Sequence, residues 1–389
     1  MAVKLKIGRE DSKTRIQQKT IICGDLEINS HARALSSREI NYGRELRKAL
    51  KRIPEYPHSA VVAMKEHSNS SLDQLMVNSV FDKEKEDILR YYYGHHGKSR
   101  LYFPRFDKGT EITDKRDFLL TEAQLQTGTS MISVFEPHEA CSPKEFERRM
   151  VGRREWMDNE SGRQNPPSII PSFALSIPEA ELRAKLKIIA DNGFELLNVQ
   201  YAPIRQYLPN YAILKEFGID NKAYVIVSNV PRFYSHRIHA STFHILPLIG
   251  ADMACLEMGT SYPPKRSMET INDSLNPMAL KRYEAELGGF LTIRQHLERY
   301  GDDPRCRPVC SACQGRSSLQ ILIEYQRRAL LPLELKFHES SACCYDLNNG
   351  FRRIPEYSEY IKGKEILGRA MIELGVNRRQ SRLKDFGFR

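Results

Sequence analysis

The chain has 389 residues, of which 41% are hydrophobic, and it carries a formal net charge of +10. That length accommodates one large domain or two ordinary ones. No stretch approaches about eighteen consecutive apolar residues, and the first residues lack a hydrophobic signal core, so we expect neither a membrane span nor a secretory leader. The positive charge favours an anionic partner, and nucleic acid is the simplest one.

Cysteine usage bears on the compartment. The chain has eight cysteines, and several of them cluster with a histidine late in the sequence. That clustering suits metal binding in a reducing environment better than a set of disulfides. We therefore expect a cytoplasmic protein.

The first third of the chain is irregular in pattern. Residues 1–20 are charged and polar, and we predict a basic N-terminal arm there. Beyond it the pattern predicts, in order, a strand at 19–28, a helix at 37–53, a short buried strand at 60–64 and a helix at 82–93.

Residues 94–117 interleave aromatic side chains with basic ones. Such a mixture suits stacking on bases beside phosphates. A solvated loop or hairpin is the alternative interpretation of the same residues.

From residue 131 onward the pattern becomes regular, and strands alternate with helices. That alternation predicts parallel βαβ units, and the Gly-rich turn of a dinucleotide-binding sheet is missing from the sequence. We therefore predict a (β/α)8 TIM-type barrel over residues 21–300, with an irregular first half. The predicted strands are 131–135, 169–175, 195–201, 223–227 and 251–258; the predicted helices are 142–158, 178–192, 204–217, 242–249 and 276–300.

A metal site is predicted after the barrel. Three thiols, Cys306, Cys310 and Cys313, are followed by an apolar segment that ends at His338. Three thiolates and one imidazole can close a tetrahedral structural zinc site that leaves no position for substrate. We assign this zinc module to residues 301–355 and a basic helical tail to 356–389.

Two other interpretations of the thiols stay open. The Cys-x3-Cys-x2-Cys spacing is also that of a radical-SAM iron–sulfur loop, although Ala312 stands where an aromatic residue is usual. The other interpretation is that the thiols are buried and bind no metal. Cys343 and Cys344 follow closely and are alternative ligands to one of the four.

Several of these stretches, taken in order, resemble the tRNA-guanine transglycosylase superfamily. Its members are (β/α)8 barrels with a zinc module near the C-terminal end, and Cys310, Cys313 and His338 keep that module's pattern while Cys306 is displaced by two residues. The segment 250–255 resembles the family's Gly-Ile-Asp-Met-Phe-Asp strand. Segments 120–124, 132–136 and 192–200 resemble further family strands.

The chain also departs from the family. Cys255 stands where the resemblance places the nucleophilic aspartate, and Asn78 is the nearest match to the second catalytic aspartate. Glu257 lies two residues beyond Cys255 on the same strand face, and Asp252 is the family-matched acid on that strand. We take Glu257 and Asp252 as candidate catalytic carboxylates, and Cys255 as a less favoured nucleophile.

The resemblance implies exchange of guanine in a nucleic acid for a 7-deazaguanine base, with DNA slightly favoured over tRNA. Glu136, at the end of a strand, would pair with N–H groups of the base, and the amides of Asn198 and Gln200 would contact it from a shared face. A partner protein or a second copy of the chain is compatible with this reading. The alternatives are a non-catalytic, zinc-containing nucleic-acid-binding subunit and a radical-SAM enzyme.

Overall fold

The structure is a computed structural model. It describes residues 3–10, 16–23, 26–36, 60–63, 65–92, 99–129, 131–138, 141–160, 166–231, 246–256, 278, 281–284 and 289–301. The predicted zinc module and the basic tail lie outside these residues, as do Glu257 and the predicted helix at 37–53.

Eight parallel strands form the main sheet. The strands are β4 (Ala32–Ser36), β5 (Ala60–Ala63), β7 (Ser99–Tyr102), β9 (Met131–Phe135), β10 (Ser168–Ala174), β11 (Leu196–Gln200), β12 (Tyr224–Val230) and β13 (Met253–Leu256). Their order across the sheet is β7-β5-β4-β13-β12-β11-β10-β9, and every neighbouring pair is parallel. Of these eight strands, β13 is the last along the chain and β4 is the first, and the two pair with each other. Strands β7 and β9 therefore lie at the two ends of the order.

Shorter strands accompany this sheet. They are β1 (Lys4–Glu10), β2 (Gln17–Cys23), β3 (Leu26–Asn29), β6 (Glu66–His67), β8 (Arg105–Phe106), β14 (Lys281–Glu284) and β15 (Gly289–Thr292). The first three form an antiparallel sheet, β6 pairs with β8, and β14 pairs with β15.

Seven α-helices lie in the described part of the chain. They are α1 (Asn69–Gln74), α2 (Asn78–Tyr92), α3 (Asp114–Gln126), α4 (Pro143–Glu160), α5 (Glu179–Asp191), α6 (Ile204–Asp220) and α7 (Ile293–Tyr300), with a 3-10 turn at Leu246–Ile249. Local signals set their ends. Ser142 and Glu145 form a capping box at the start of α4, where Pro143 needs no hydrogen-bond acceptor. Gly193, with φ 64°, follows the end of α5.

The two faces of the main sheet bury different cores. On one face, alternate residues such as Ile132, Val134, Leu197 and Val199 pack with helical side chains in one cluster. The other face carries a second cluster, with members from all eight strands. Strand side chains alternate between the faces, so each strand from β9 to β13 contributes to both cores. We call the second face the inner face.

The antiparallel sheet β1–β3 covers the amino ends of the main strands. Its Ile21, Cys23 and Ile28 belong to the inner-face cluster. Lys19 on β2 donates hydrogen bonds to the Asp252 carboxylate (2.9 Å) and to the Ala223 carbonyl (2.6 Å), immediately before β13 and β12. The carboxyl ends of the strands therefore lie away from this cover.

On the edge of β9 that faces away from β10, backbone groups form hydrogen bonds with a side chain. The Gln124 amide on α3 donates to the Ser133 carbonyl (3.0 Å) and accepts from the Ser133 N–H (2.8 Å). Strand β7 also lies close to β9, with Cα atoms of the two strands within 8 Å of one another. A side-chain amide thus takes the place of a strand's backbone at this point of the edge.

The mixed α/β class and the alternation from residue 131 onward are confirmed, whereas the barrel stays a prediction. Three details differ from expectation. Residues 4–10 form a strand rather than an irregular arm, and the single strand predicted at 19–28 is instead two, β2 and β3. The predicted helix at 276–300 is wrong over β14 and β15, whose backbones pair as antiparallel strands.

Gly250 offers a test of the close packing beneath β13. Its φ is +109°, and a Cβ added there would lie 2.7 Å from the Cα of Lys215 on α6. Gly250→Ala should therefore lower the free energy of unfolding by roughly 2–4 kcal/mol, measured by denaturant titration. Gly152→Ala is the control, because nothing lies within 4 Å of its Cβ position on α4. A Gly250→Ala protein as stable as wild type would contradict the packing.

Candidate functional site

The inner face changes from apolar to polar toward the carboxyl ends of neighbouring strands. On β9, β10, β11 and β12 the inner face carries a side chain of the inner-face cluster in the first half of the strand, such as Ile170 on β10 and Leu196 on β11. Further along each of these four strands the same face carries a polar side chain. These inner-face polar residues are Ser133 on β9, Ser172 on β10, Asn198 and Gln200 on β11, and Ser228 on β12.

Strand register brings these side chains together. Ser172 lies opposite Asn198, and Gln200 lies opposite Ser228. Asn198 and Ser228 are consequently diagonal neighbours on adjacent strands. The two amides predicted from the sequence, Asn198 and Gln200, do share one face of one strand.

Three of these residues hold buried polar atoms without a hydrogen-bond partner in the described structure: Oδ1 of Asn198, Oγ of Ser228 and Oγ of Ser133. Asn198 and Ser228 are each only 1% exposed. A buried acceptor or hydroxyl without a partner costs about 1–3 kcal/mol, so native proteins keep such atoms rare. A bound polar group is one way to satisfy them.

The backbone at the carboxyl end of β12 is also unusual. Asn229, next to Ser228, has a φ of 57°, in the left-handed region that non-glycine residues seldom adopt. Its Oδ1 is a further buried atom without a partner in the described part of the chain. Backbone strain of this kind clusters at functional sites.

Glu136, predicted to read a base, accepts hydrogen bonds from three protein groups. One carboxylate oxygen accepts from the Ala174 N–H (2.8 Å), and the other from Lys185 Nζ (2.7 Å) and Cys141 Sγ (3.7 Å). Burial raises the pKa of the Glu136 carboxyl, and the Lys185 ammonium opposes that rise. Both oxygens are occupied, so Glu136 joins the ends of β9 and β10 to α5 in this structure.

Asp252, one of the two candidate nucleophiles, lies at the opposite end of the sheet. Its Oδ2 accepts from Lys19 Nζ at 2.9 Å and from the Val225 N–H at 2.8 Å, and its side chain is 4% exposed. It precedes β13 and ties the N-terminal sheet to the main one. This placement separates Asp252 from the polar residues at the carboxyl ends.

Cys255 lies on the inner face of β13, fully buried and opposite Ala34 of β4. Glu257 is two residues further along the sequence but outside the described residues. The four predicted zinc ligands, Cys306, Cys310, Cys313 and His338, also lie outside them. Within the described ranges, no group of three or more His, Cys, Asp or Glu is placed to hold a metal ion.

A buried polar network beside β6 and β7 escaped the sequence analysis. His67 Nε2 contacts the Tyr102 hydroxyl at 2.9 Å, Tyr102 donates to Glu84 at 3.0 Å, and Lys65 donates to the same carboxylate. Burial alone would raise the pKa of Glu84, but hydrogen bonds and charge from His67 and Lys65 outweigh it and lower the pKa to about 2.

Aromatic rings connect this network to the inner face. The His67 ring stacks with that of Phe106, with centroids 6.2 Å apart, and Phe106 meets Phe135 edge-on at 5.2 Å. Phe106 belongs to the stretch predicted to stack on bases. The mixture of aromatic and basic residues singled out that stretch in the sequence, whereas no local sequence pattern indicates that His67 pairs with Glu84.

The Glu136–Lys185 pair can be tested against an exposed pair on the same helix. Lys185→Met leaves a buried carboxylate without its cation and should lower the free energy of unfolding by about 3–5 kcal/mol. Lys187→Met is the matched control, because the Lys187–Asp191 pair is 73% and 57% exposed, and its loss should cost less than about 0.5 kcal/mol. Equal unfolding midpoints for the two variants would show that Glu136 does not depend on Lys185.

No protein-family model matches this chain, and no curated protein matches it either. In the described residues, no helix is both long and apolar enough to cross a membrane.

Proposed function

We propose that the protein is a guanine transglycosylase that exchanges guanine in nucleic acid for a 7-deazaguanine base on a closed (β/α)8 barrel. Four features support closure. The eight parallel strands follow chain order, β13 pairs with β4, and Cα atoms of the terminal strands β7 and β9 come within 8 Å of each other. One buried cluster also draws side chains from all eight strands.

One observation carries the functional proposal. Buried polar atoms without partners, on Asn198 and Ser228, lie toward the carboxyl ends of adjacent parallel strands. In (β/α)8 enzymes, substrates bind at that end and catalytic groups come from several strands. An inner face that holds uncharged polar groups there suits a nucleobase that has been turned out of its stack.

The reaction requires a carboxylate nucleophile. It attacks the sugar C1′, forming a C–O bond as the bond from C1′ to the guanine N9 breaks, and an acid donates a proton to the departing base. The incoming deazaguanine then attacks C1′, releases the carboxylate and gives up its ring-nitrogen proton. Asp252 is tied to Lys19 at the far end of the strands, so we assign the nucleophile to Glu257.

The polymer is the anionic partner that a net charge of +10 favours. Phe106, half-buried beside Phe135, is suited to stack on a base neighbouring the one that is exchanged. We propose DNA ahead of tRNA as the polymer.

A second candidate is a non-catalytic nucleic-acid-binding subunit of such an enzyme. Two of the three predicted functional carboxylates, Glu136 and Asp252, lie in the described part of the chain. Both are held in buried ion pairs, which favours a non-catalytic subunit. Cys255, where the resemblance calls for aspartate, also favours it. Activity decides between the two candidates.

Exchange is measured with guanine-labelled DNA and tRNA incubated with the protein and a free 7-deazaguanine. We expect loss of label from DNA, abolished by Glu257→Ala and retained by Asp252→Asn to the extent that this variant folds. Loss of label from neither polymer, alone or with a partner protein, would favour the binding subunit. If the Glu257→Ala variant still releases the label, the nucleophile is a residue other than Glu257.

Zinc at Cys306, Cys310, Cys313 and His338 would be a structural ion with a closed set of four ligands, and it would take no part in the reaction. Metal analysis of the purified chain should give one zinc per chain and no iron. Cys310→Ala should lower the zinc content and the melting temperature together. Stoichiometric iron and sulfide would instead support the radical-SAM alternative.

A further inference from the structure

We propose that a cavity at the amino ends of β10 and β11 binds a small zwitterion with an apolar side chain, such as a free amino acid. The cavity has a volume of about 270 Å³ and lies between the last turns of α4, the first residues of the two strands and Val3, just before β1. Pockets for drug-sized molecules span roughly 300–1,000 Å³, so a smaller ligand suits this one. The proposed exchange reaction uses the carboxyl ends of the strands, and this inference does not rest on it.

Arg154 supplies the cavity with a positive charge that no carboxylate contacts in the described part of the chain. Its Cζ lies 3.9 Å from the centre of the Phe194 ring, and its Nη2 donates to the Asn192 carbonyl at 2.6 Å. Burial lowers the pKa of the guanidinium, while Asp158 and Glu155 act on it through charge without a hydrogen bond. The stack and the single hydrogen bond orient the guanidinium plane, and its other N–H groups remain as donors for a ligand.

Two other arginines of α4 are paired with carboxylates. Arg149 contacts Asp114 at 2.9 Å, and Arg153 contacts Asp117 at 2.6 Å. Charges that are withdrawn from water are usually paired in this way. Arg154 differs from both because its contacts are a carbonyl and an aromatic ring, so an anionic group on a ligand would supply the counter-charge.

Two carboxylates in the cavity lining disfavour a simple anion. Asp158 and Glu195 both belong to that lining, and both are exposed. They would repel an anion bound to Arg154, and Arg154 would repel a cation bound to them. A ligand with one charge of each sign is attracted by both kinds of group. The carboxylate of an α-amino acid would pair with Arg154, and its ammonium with Asp158 and Glu195.

The remaining lining suits an apolar side chain. The apolar residues beside the Phe194 ring are Val3, Met157, Pro166, Pro167, Ile169 and Leu196. Burial of an aliphatic or aromatic side chain against them adds affinity in proportion to the apolar area removed from water. Ser168, which also lines the cavity, accepts a hydrogen bond at its Oγ from the Val3 N–H (3.1 Å). A bound amino acid would therefore contact α4, both strands and the segment that leads into β1.

Isothermal titration calorimetry of the full-length chain tests the site with three separate probes, L-leucine, L-methionine and L-phenylalanine. At least one of them should bind and should raise the melting temperature, because it binds only the folded chain. The N-acetyl derivative of that amino acid lacks the ammonium, and its amide lacks the carboxylate. Each should bind at least about tenfold more weakly than the amino acid. These comparisons leave the protein unchanged, so a folding defect cannot explain the loss.

Variants locate the site. Arg154→Gln should weaken binding of the amino acid by at least about tenfold and have little effect on the amide, which has no carboxylate to lose. Asp158→Asn combined with Glu195→Gln should weaken it by about fivefold, because exposed ion pairs contribute less. Arg183→Gln is the matched control and should keep wild-type affinity, since Arg183 is exposed on α5 and does not line the cavity.

Three results would overturn the inference. The first is that none of the three amino acids binds the wild-type chain. The second is that the N-acetyl derivative and the amide bind as tightly as the amino acid, and the third is that either cavity variant folds and keeps wild-type affinity. Because Asp158 and Glu195 are exposed, their variant decides the matter even if Arg154→Gln does not fold. Binding with the expected pattern supports the site whether or not the chain exchanges guanine.

Discussion

The parallel pairing of β13 with β4 is the constraint on which the rest of the structure depends. Met253 to Cys255 lie opposite Ala32 to Ala34, so the last strand of the main sheet along the chain is held against the first. With that pairing in place, the N-terminal sheet lies under the amino ends of the strands, where Lys19 reaches Asp252. The carboxyl ends remain for the polar residues of the inner face. The two ends of the sheet therefore differ: the N-terminal strands cover one, and polar inner-face residues lie toward the other.

The buried polar residues of the main sheet differ in whether their hydrogen bonds are satisfied. Some buried polar groups here are fully engaged: Glu136 has three donors, and Asn210 has two acceptors. Asn198 and Ser228, by contrast, are buried without partners in the described residues. Residues that are equally buried therefore differ in hydrogen bonding, and this difference separates a polar residue that serves the fold from a candidate for ligand binding.

Sequence patterns predicted the region from β9 to β12 well because strong local signals bound each element there. Buried apolar runs mark the strands, and a capping residue or a glycine marks the helix ends, as Ser142 and Gly193 do. Strand β1 and the antiparallel pair of β14 and β15 were missed because their sequences mix charged or polar residues with apolar ones and contain no long apolar run. The roles of Glu136 and Asp252 depend on Lys185 and Lys19, which lie 49 and 233 residues away in the chain. No local pattern records such a pairing, whereas the shared face of Asn198 and Gln200 follows from strand periodicity alone.

At the Gln124 side chain, the edge of β9 is held differently from the contacts between the other neighbouring strands of the sheet. Elsewhere in the sheet, neighbouring strands are joined by repeated backbone bonds that must break together if the strands separate. At Ser133 the two bonds come from a single carboxamide on α3, so both depend on one side chain. If the strands form a closed ring, widening it to admit or release a bulky heterocycle would require the least disruption along this line between β7 and β9.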